Sequence, residues 1–253
     1  MKKTMIAGMV SVLMAASANA AFTESADGTF TGSLSFSGSI TDTQPAWMWE
    51  LPEVTINSVT DWNVDKAAGV LEGENAVFDF ADKGTFEFLH GYTKSVAAGG
   101  QPGFRPIVTV GEGDTAQEIN DTVKSISVVA SGVGSDGAAT ADGQLSFSIS
   151  GGNAVAFFWP ESGLWWLAYS GGTAGANART LLQSNVENYA TVYAQIDMEE
   201  ERAFSWNYNY LNNTSLNASG AFDSTMSDIK LSFPSTSVPA TWTADVPVTV
   251  TMM

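Results

Sequence analysis

Apolar and small polar residues alternate without interruption through residues 30–40, which read FTGSLSFSGSI. Successive side chains of a β-strand point to opposite faces, so this pattern predicts a strand with one buried and one solvated face. The same alternation returns in QLSFSI at 144–149 and in the final stretch, DVPVTVTMM. Short alternating segments that are separated by Gly, Ser, Asn and Asp are typical of a β-sandwich or barrel. We therefore predict an all-β fold.

One segment departs from this pattern. NARTLLQSNVENYATVYAQI (177–196) carries its apolar residues at helical spacing, and Asn177 could cap the helix. The densest aromatic stretch of the chain, AFFWPESGLWWLAYSGG (156–172), lies just before it. Together these two stretches predict a small helical insertion, at about 153–198, in the β-scaffold. Further strands are predicted at 46–54, 76–81, 85–92, 107–110 and 123–131.

The first twenty residues predict a secretory signal peptide. Lys2 and Lys3 form a positive head, and the apolar run that follows them is too short to span a bilayer. The run ends in Ala18-Asn19-Ala20, a small-x-small cleavage site. We expect the exported chain to begin at Ala21.

The charge of the chain limits its partners. Without Lys2 and Lys3, eight Lys and Arg residues stand against 27 Asp and Glu, a net charge of −19. Nucleic acids and anionic membrane surfaces are bound by basic patches, so neither is an expected partner. The chain has no cysteine, so no disulfide supports the fold.

No motif of the chain predicts a catalytic residue, a cofactor or a metal. GVGSDG (132–137) has the spacing of a dinucleotide-binding loop, but a turn and a strand follow it where that loop needs a helix. Residues 61–72 place acidic side chains at calcium-loop positions, but Lys66 stands where the sharp turn needs Gly. His90 is the only histidine, and no nucleophile is apparent near it, so a rim or packing role is expected.

An exported all-β chain is consistent with several classes of protein. An outer-membrane β-barrel needs strands of about 9–11 residues, so the helix and the short, uneven strands make it the weaker alternative. A secreted hydrolase is weaker still, because carboxylates are plentiful but sequence spacing cannot pair them. The favoured interpretation takes residues 30–40 as a strand detached from its own domain. Such a strand can complete the sheet of a neighbouring subunit by β-augmentation.

Four stretches, in order along the chain, carry a resemblance to a known family. They are FTGSLSFSGSITDTQPAWMWEL (30–51), TADGQLSFSISGG (140–152), AGANARTLLQSNV (174–186) and TWTADVPVTVTMM (241–253). They resemble the first strand, the strand after an Ala-Asp-Gly turn, the Ala-rich helix and the last strand of the K-eighty-eight (FaeG-like) fimbrial subunits. The matches span most of the exported chain.

The resemblance implies an immunoglobulin-like sandwich that lacks its last strand and is completed by donor-strand exchange in the chaperone–usher pathway. Residues 21–42 would be the donor arm and 43–253 the incomplete domain. A periplasmic chaperone and an outer-membrane usher would assemble the subunits into an extracellular fimbrium on the bacterial surface, which serves cell adhesion. The implied donor-strand residues are Phe30, Gly32, Leu34, Phe36, Gly38 and Ile40. Val246, Val248, Val250, Met252 and the carboxylate of Met253 would border the groove and contact the chaperone.

The aromatic stretch leaves two roles open, a structural pilin or a lectin-type adhesin that binds host glycans. Sugars stack on aromatic rings and bond to amide and guanidinium groups, and the resembling family uses its inserted helical region for receptor binding. The competing interpretation, which we favour, is that the aromatic residues pack the insertion onto the sandwich. Alternation also places Trp165 and Trp166 on opposite faces of a strand. The candidate glycan-binding residues are Trp159, Trp165, Trp166, Tyr169, Asn177 and Arg179.

Overall fold

The computed structural model describes residues 46–98, 103–159, 161–187, 189, 196–201 and 217–253. The predicted signal peptide and the alternating segment 30–40 therefore lie outside the described residues. Within them, strands dominate and one helix exceeds six residues, which confirms an all-β fold with a small helical insertion. The strands are β1 (Trp47–Glu50), β2 (Val70–Glu72), β3 (Asn75–Asp79), β4 (Phe86–Thr93), β5 (Ala97–Ala98), β6 (Pro106–Val110), β7 (Gln117–Glu118), β8 (Lys124–Val133), β9 (Gly143–Trp159), β10 (Leu164–Ser170), β11 (Met198–Glu201), β12 (Asn217–Pro234), β13 (Thr241–Ala244) and β14 (Val248–Met252). The helices are α1 (Glu53–Ser58) and α2 (Gly172–Asn185).

Two long antiparallel strands, β9 and β12, form the centre of the larger sheet. The first half of β12 pairs with β4 and the second half with β3, while β9 pairs first with β8 and then with β10. The strand order β1–β4–β12–β9–β10–β11 makes up one half of the sheet. In the other half, β8 pairs with β9 and β13 pairs with β8. A second sheet, β14–β6–β7, completes the described β-structure.

The main core lies between the two sheets. Leu145, Phe147 and Ile149 of β9 are buried there, as their alternation predicts. The second sheet contributes Val108 and Val110, which are also buried. Each fully buried aliphatic or aromatic side chain of this kind contributes about 1.5–3 kcal/mol to stability. The rest of the buried core consists of Trp62, Phe78, Phe80, Phe88, Leu89, Ile119, Ile126, Val128, Ala130, Phe222, Met226, Ile229, Leu231 and Phe233.

Helix α2 covers the outer face of the larger sheet, opposite the main core. Its Ala178 and Leu182 are buried against Ala154 and Ala156 of β9 and Ala221 of β12. These small sheet residues allow a close approach, because a bulky side chain would hold the helix away from the strands. The first half of β12 is thus covered on both sides, which explains its run of buried residues, ASGAFDS (218–224).

The helix begins earlier than its apolar spacing predicted. Gly171 has a φ of 102°, a left-handed conformation that glycine adopts readily, and it turns the chain from β10 directly into α2. The expected capping role of Asn177 is therefore wrong, since this residue lies inside the helix. The helix ends at Asn185, because Val186 adopts an extended backbone.

Two strand boundaries also differ from the alternation. The strand expected at 46–54 stops at Glu50, because Pro52 lacks the N–H of a strand residue, and it precedes α1. Strand β9 continues through residue 153, where the insertion was expected to begin. Among the described residues, no helix has the length and hydrophobicity of a membrane-spanning segment.

Candidate functional site

Strand β14 forms one edge of the second sheet. It pairs with β6 on one side, and within the described residues it has no strand on the other. Val248, Val250 and Met252 are half-buried, whereas Thr249 and Thr251 are exposed. The residues expected to border a groove therefore share one face, which turns toward the main core, and Val246, Val248 and Val250 pack against that core. Their partial exposure shows that the core beneath this edge is incompletely covered.

The main-chain groups of β14 alternate in direction. The carbonyl of Pro247 accepts from the amide of Gly111 at 3.0 Å, and the amide of Met253 donates to the carbonyl of Arg105 at 2.8 Å. In an antiparallel pair, bonded residues alternate with residues whose N–H and C=O point away. The N–H and C=O groups of Val248 and Val250 therefore point toward the open edge, ready for a further strand.

A groove of about 680 Å³ lies beside β13. Its lining includes the buried Phe78, Leu231 and Phe233 of the main core, together with the half-exposed Trp242. The groove reaches Asp245, next to Val246. Among the described strands, β13 pairs only with β8, so the apolar part of this groove lies along a second free strand edge.

The final residue is held by the second sheet. The backbone oxygen of Met253 accepts from the amide of Gly103 at 2.7 Å, and its own amide bonds to Arg105. The side chain of Met253 is exposed. The end of β14 is thus fixed in position. The chaperone contact expected for Met253 stays a prediction.

The candidate glycan-binding residues do not form one patch. Trp165 and Tyr169 lie on the face of β10 that meets α2, and the guanidinium of Arg179 lies 5.7 Å from the centre of the Tyr169 ring. Trp166 lies on the opposite face, against the small cluster of Phe104, Val155, Phe157 and Ala168. The indole rings of Trp165 and Trp166 are both half-buried. Trp159 ends β9 opposite Leu164, and its side chain is outside the described part of the molecule.

Asn177 belongs instead to a polar cluster around His90. Nε2 of His90 lies 2.9 Å from Oδ2 of Asp223 and 3.2 Å from Oε2 of Glu87, and Nδ1 lies 3.6 Å from Oε1 of Glu50. The Asn177 amide donates to Oε1 of Glu87 at 3.1 Å and to Oδ1 of Asp223 at 3.4 Å. The rim or packing role expected for His90 does not explain these contacts with three carboxylates.

Burial and charge shift the ionisation of this cluster. Asp223 is almost fully buried, and this burial raises the pKa of its carboxyl group, although the contacts with His90 and Asn177 oppose the shift. Contact with the Asp223 carboxylate raises the pKa of His90 against the effect of burial, and the charges of Asp223, Glu87 and Glu50 add to the increase. Sequence reasoning missed Glu50, Glu87 and Asp223, but the single charged residue in the buried run ASGAFDS was a usable signal.

Comparison with known proteins assigns the chain to a family. A search of curated proteins found no match. A family model described as "Fimbrial, major and minor subunit" matches residues 1–253, the full length of the sequence. That family is structural rather than catalytic, and its members associate with one another in fimbriae on the cell surface. The chain, with its all-β fold and open strand edge, therefore belongs to the K-eighty-eight family of major and minor fimbrial subunits.

Proposed function

We propose that this fimbrial subunit polymerises by donor-strand exchange, as both donor and acceptor. The observation that carries the proposal is the open edge of β14, which combines outward main-chain groups with a half-buried apolar row of Val246, Val248, Val250 and Met252. The arm of a neighbouring subunit would add a strand at this edge and cover the exposed part of the core.

The arm has the complementary pattern. Phe30, Leu34, Phe36 and Ile40 share one face of the predicted strand, so all four side chains could pack together beside the apolar row of β14. Burial of four such side chains yields about 6–12 kcal/mol before the cost of ordering the arm. Gly32 and Gly38 in the same row allow close backbone approach to the neighbouring subunit.

The same edge serves assembly before polymerisation. A periplasmic chaperone would lend a strand to β14 and hold the carboxylate of Met253, and the outer-membrane usher would exchange that strand for the arm of the next subunit. The expected product is an extracellular fimbrium that contributes to cell adhesion, with this chain as a structural subunit. The test is whether a shortened protein that begins at Thr43 is completed by a separate peptide of residues 22–41.

A second candidate function is glycan binding by the aromatic stretch. The observation in its favour is that Trp165, Tyr169 and Arg179 meet on one face, with the rings only half-buried. This arrangement supplies an aromatic surface next to a cation, which suits a shallow sugar site. Trp166 and Asn177 are directed elsewhere, so a site here would be smaller than the six residues expected from the sequence.

Separate replacement of the two tryptophans distinguishes packing from binding. If both rings pack, Trp165→Ala and Trp166→Ala should each lower stability by about 3 kcal/mol, as truncation of large core side chains does. We expect thermal melting of the peptide-completed protein to show both losses, and a glycan array to show no binding by the unaltered protein. A Trp165→Ala variant that loses glycan binding while its melting temperature stays unchanged, beside a Trp166→Ala variant that keeps binding, would favour the adhesin.

A further inference from the structure

Three adjacent strands place the His90 cluster in one row. Glu50 of β1 pairs with His90 of β4, and His90 pairs with Asp223 of β12, so the three side chains lie side by side across the sheet. The register of β4 against β12 shifts at Phe88, which is left without a partner between Glu87 and Leu89. Such a bulge reverses the alternation and directs Glu87 to the face of His90.

The cluster carries more negative charge than its single imidazole can balance, since three carboxylates surround one histidine. Glu50, Glu87 and Asp223 surround one imidazole, and Asp223 is almost fully buried. Among the described residues, none of these carboxylates forms an ion pair with Lys or Arg. Buried charges are normally paired or bound to a metal, so this site favours an additional cation.

The atoms around Nε2 of His90 suit a metal ion. One oxygen of Asp223 lies 2.9 Å from Nε2 and one oxygen of Glu87 lies 3.2 Å from it, so three atoms that can ligate a metal are close together. Nε2 and oxygens of Glu87 and Asp223 all lie within 4.8 Å of one another. Ligands about 2.1 Å from a tetrahedral ion are about 3.4 Å apart, so small side-chain movements suffice to admit one.

The remaining atoms of the cluster hold the ligands in place. Asn177 of α2 bonds to the carboxylate oxygens of Glu87 and Asp223 that face away from His90. Glu50 lies next to Nδ1 on the other side of the imidazole. Metal-binding histidines and carboxylates are oriented by outer partners of this kind. Exposure of Glu87 leaves a path for the ion and room for water as a further ligand.

We propose that Glu87, His90 and Asp223 form a site for one divalent transition-metal ion, with Zn²⁺ the best match to its nitrogen and oxygen ligands. Asn177 and Glu50 orient these ligands. These five residues come from β1, β4, β12 and α2, so the ion would fasten the helix to the sheet. The sequence did not predict the site because its ligands are distant along the chain and meet only through strand pairing and the bulge.

Titration of the purified, peptide-completed protein with Zn²⁺ alone tests the site. Isothermal calorimetry should show one ion per chain, and Co²⁺ in its place should give the intense visible absorption of a tetrahedral complex. His90→Gln should abolish binding, and Asn177→Ala should weaken it about 10-fold. Asp79→Asn is the matched control, since Asp79 is a carboxylate distant from the cluster that faces Lys230, and it should bind as the unaltered protein does.

If His90→Gln does not fold, Glu87→Gln serves as the second variant. The Glu87 side chain is exposed, so its replacement removes no core packing. Melting temperatures measured with a chelator identify variants that fold normally. The proposal is overturned if Glu87→Gln binds Zn²⁺ as tightly as the unaltered protein. It is also overturned if Ca²⁺ and Mg²⁺ bind as tightly as Zn²⁺, since that result shows only general attraction to negative charge.

Discussion

A shortened protein that begins at Thr43 is expected to melt at least about 10 °C higher once a peptide of residues 22–41 is added in excess. The peptide would bury the apolar row of Phe30, Leu34, Phe36 and Ile40 at the edge of β14 and bond to its outward main-chain groups. Without the peptide, this protein should be marginally stable or oligomeric, because its apolar edge is exposed. Differential scanning calorimetry and analytical ultracentrifugation measure the two effects.

Peptide variants separate strand addition from general adhesion. Leu34→Asp or Phe36→Asp should abolish the stabilisation, since each would bury a charge without a partner. Ser35→Asp is the matched control, because this side chain lies on the polar face of the predicted strand and its replacement should leave the stabilisation intact. A monomeric, stable shortened protein with no response to any peptide would show that donor-strand exchange is the wrong mechanism.

Gly152→Ala should strongly destabilise the helical insertion. A Cβ atom at this position would overlap the backbone of Ala174 and Gly175, so α2 would have to move away from the sheet. Such a shift would loosen the packing of Leu182 and Ala178 and cost about 3 kcal/mol, or about 6–12 °C in melting temperature. Thermal melting of the peptide-completed protein gives the value.

The control for this substitution lies on the same strand. Ser148 is half-exposed on the outer face of β9, away from the residues that contact α2, so Ser148→Ala should change the melting temperature by no more than about 1–2 °C. Equal melting temperatures for Gly152→Ala and the unaltered protein would mean that the helix docks less closely than described.

Alternation predicted those parts of the fold in which one face of a strand is buried and the other solvated. Segments 107–110, 123–131 and 144–149 match β6, β8 and the start of β9 for this reason. Alternation could not predict the second half of β9 or the first half of β12. There α2 buries the outer face as well, so small residues such as Ala154 and Ala221 replace the polar side of the pattern.

The candidate sites were predictable to different degrees. The apolar row of β14 could be read directly, since Val248 and Val250 are neighbours on one strand. Asn177 was misplaced because the left-handed Gly171 starts the helix before the apolar spacing does. The His90 cluster depends on cross-strand register and on the bulge at Phe88, and neither is encoded in local spacing.

Amide hydrogen exchange at β14 tests donor-strand exchange most directly. Thr249 and Thr251 lie at positions that bond to β6, so their amides should be protected with or without the peptide of residues 22–41. The amides of Val248 and Val250 point toward the open edge and should become protected only when the peptide is present. Unchanged exchange at Val248 and Val250, measured while the peptide is bound, would contradict the account.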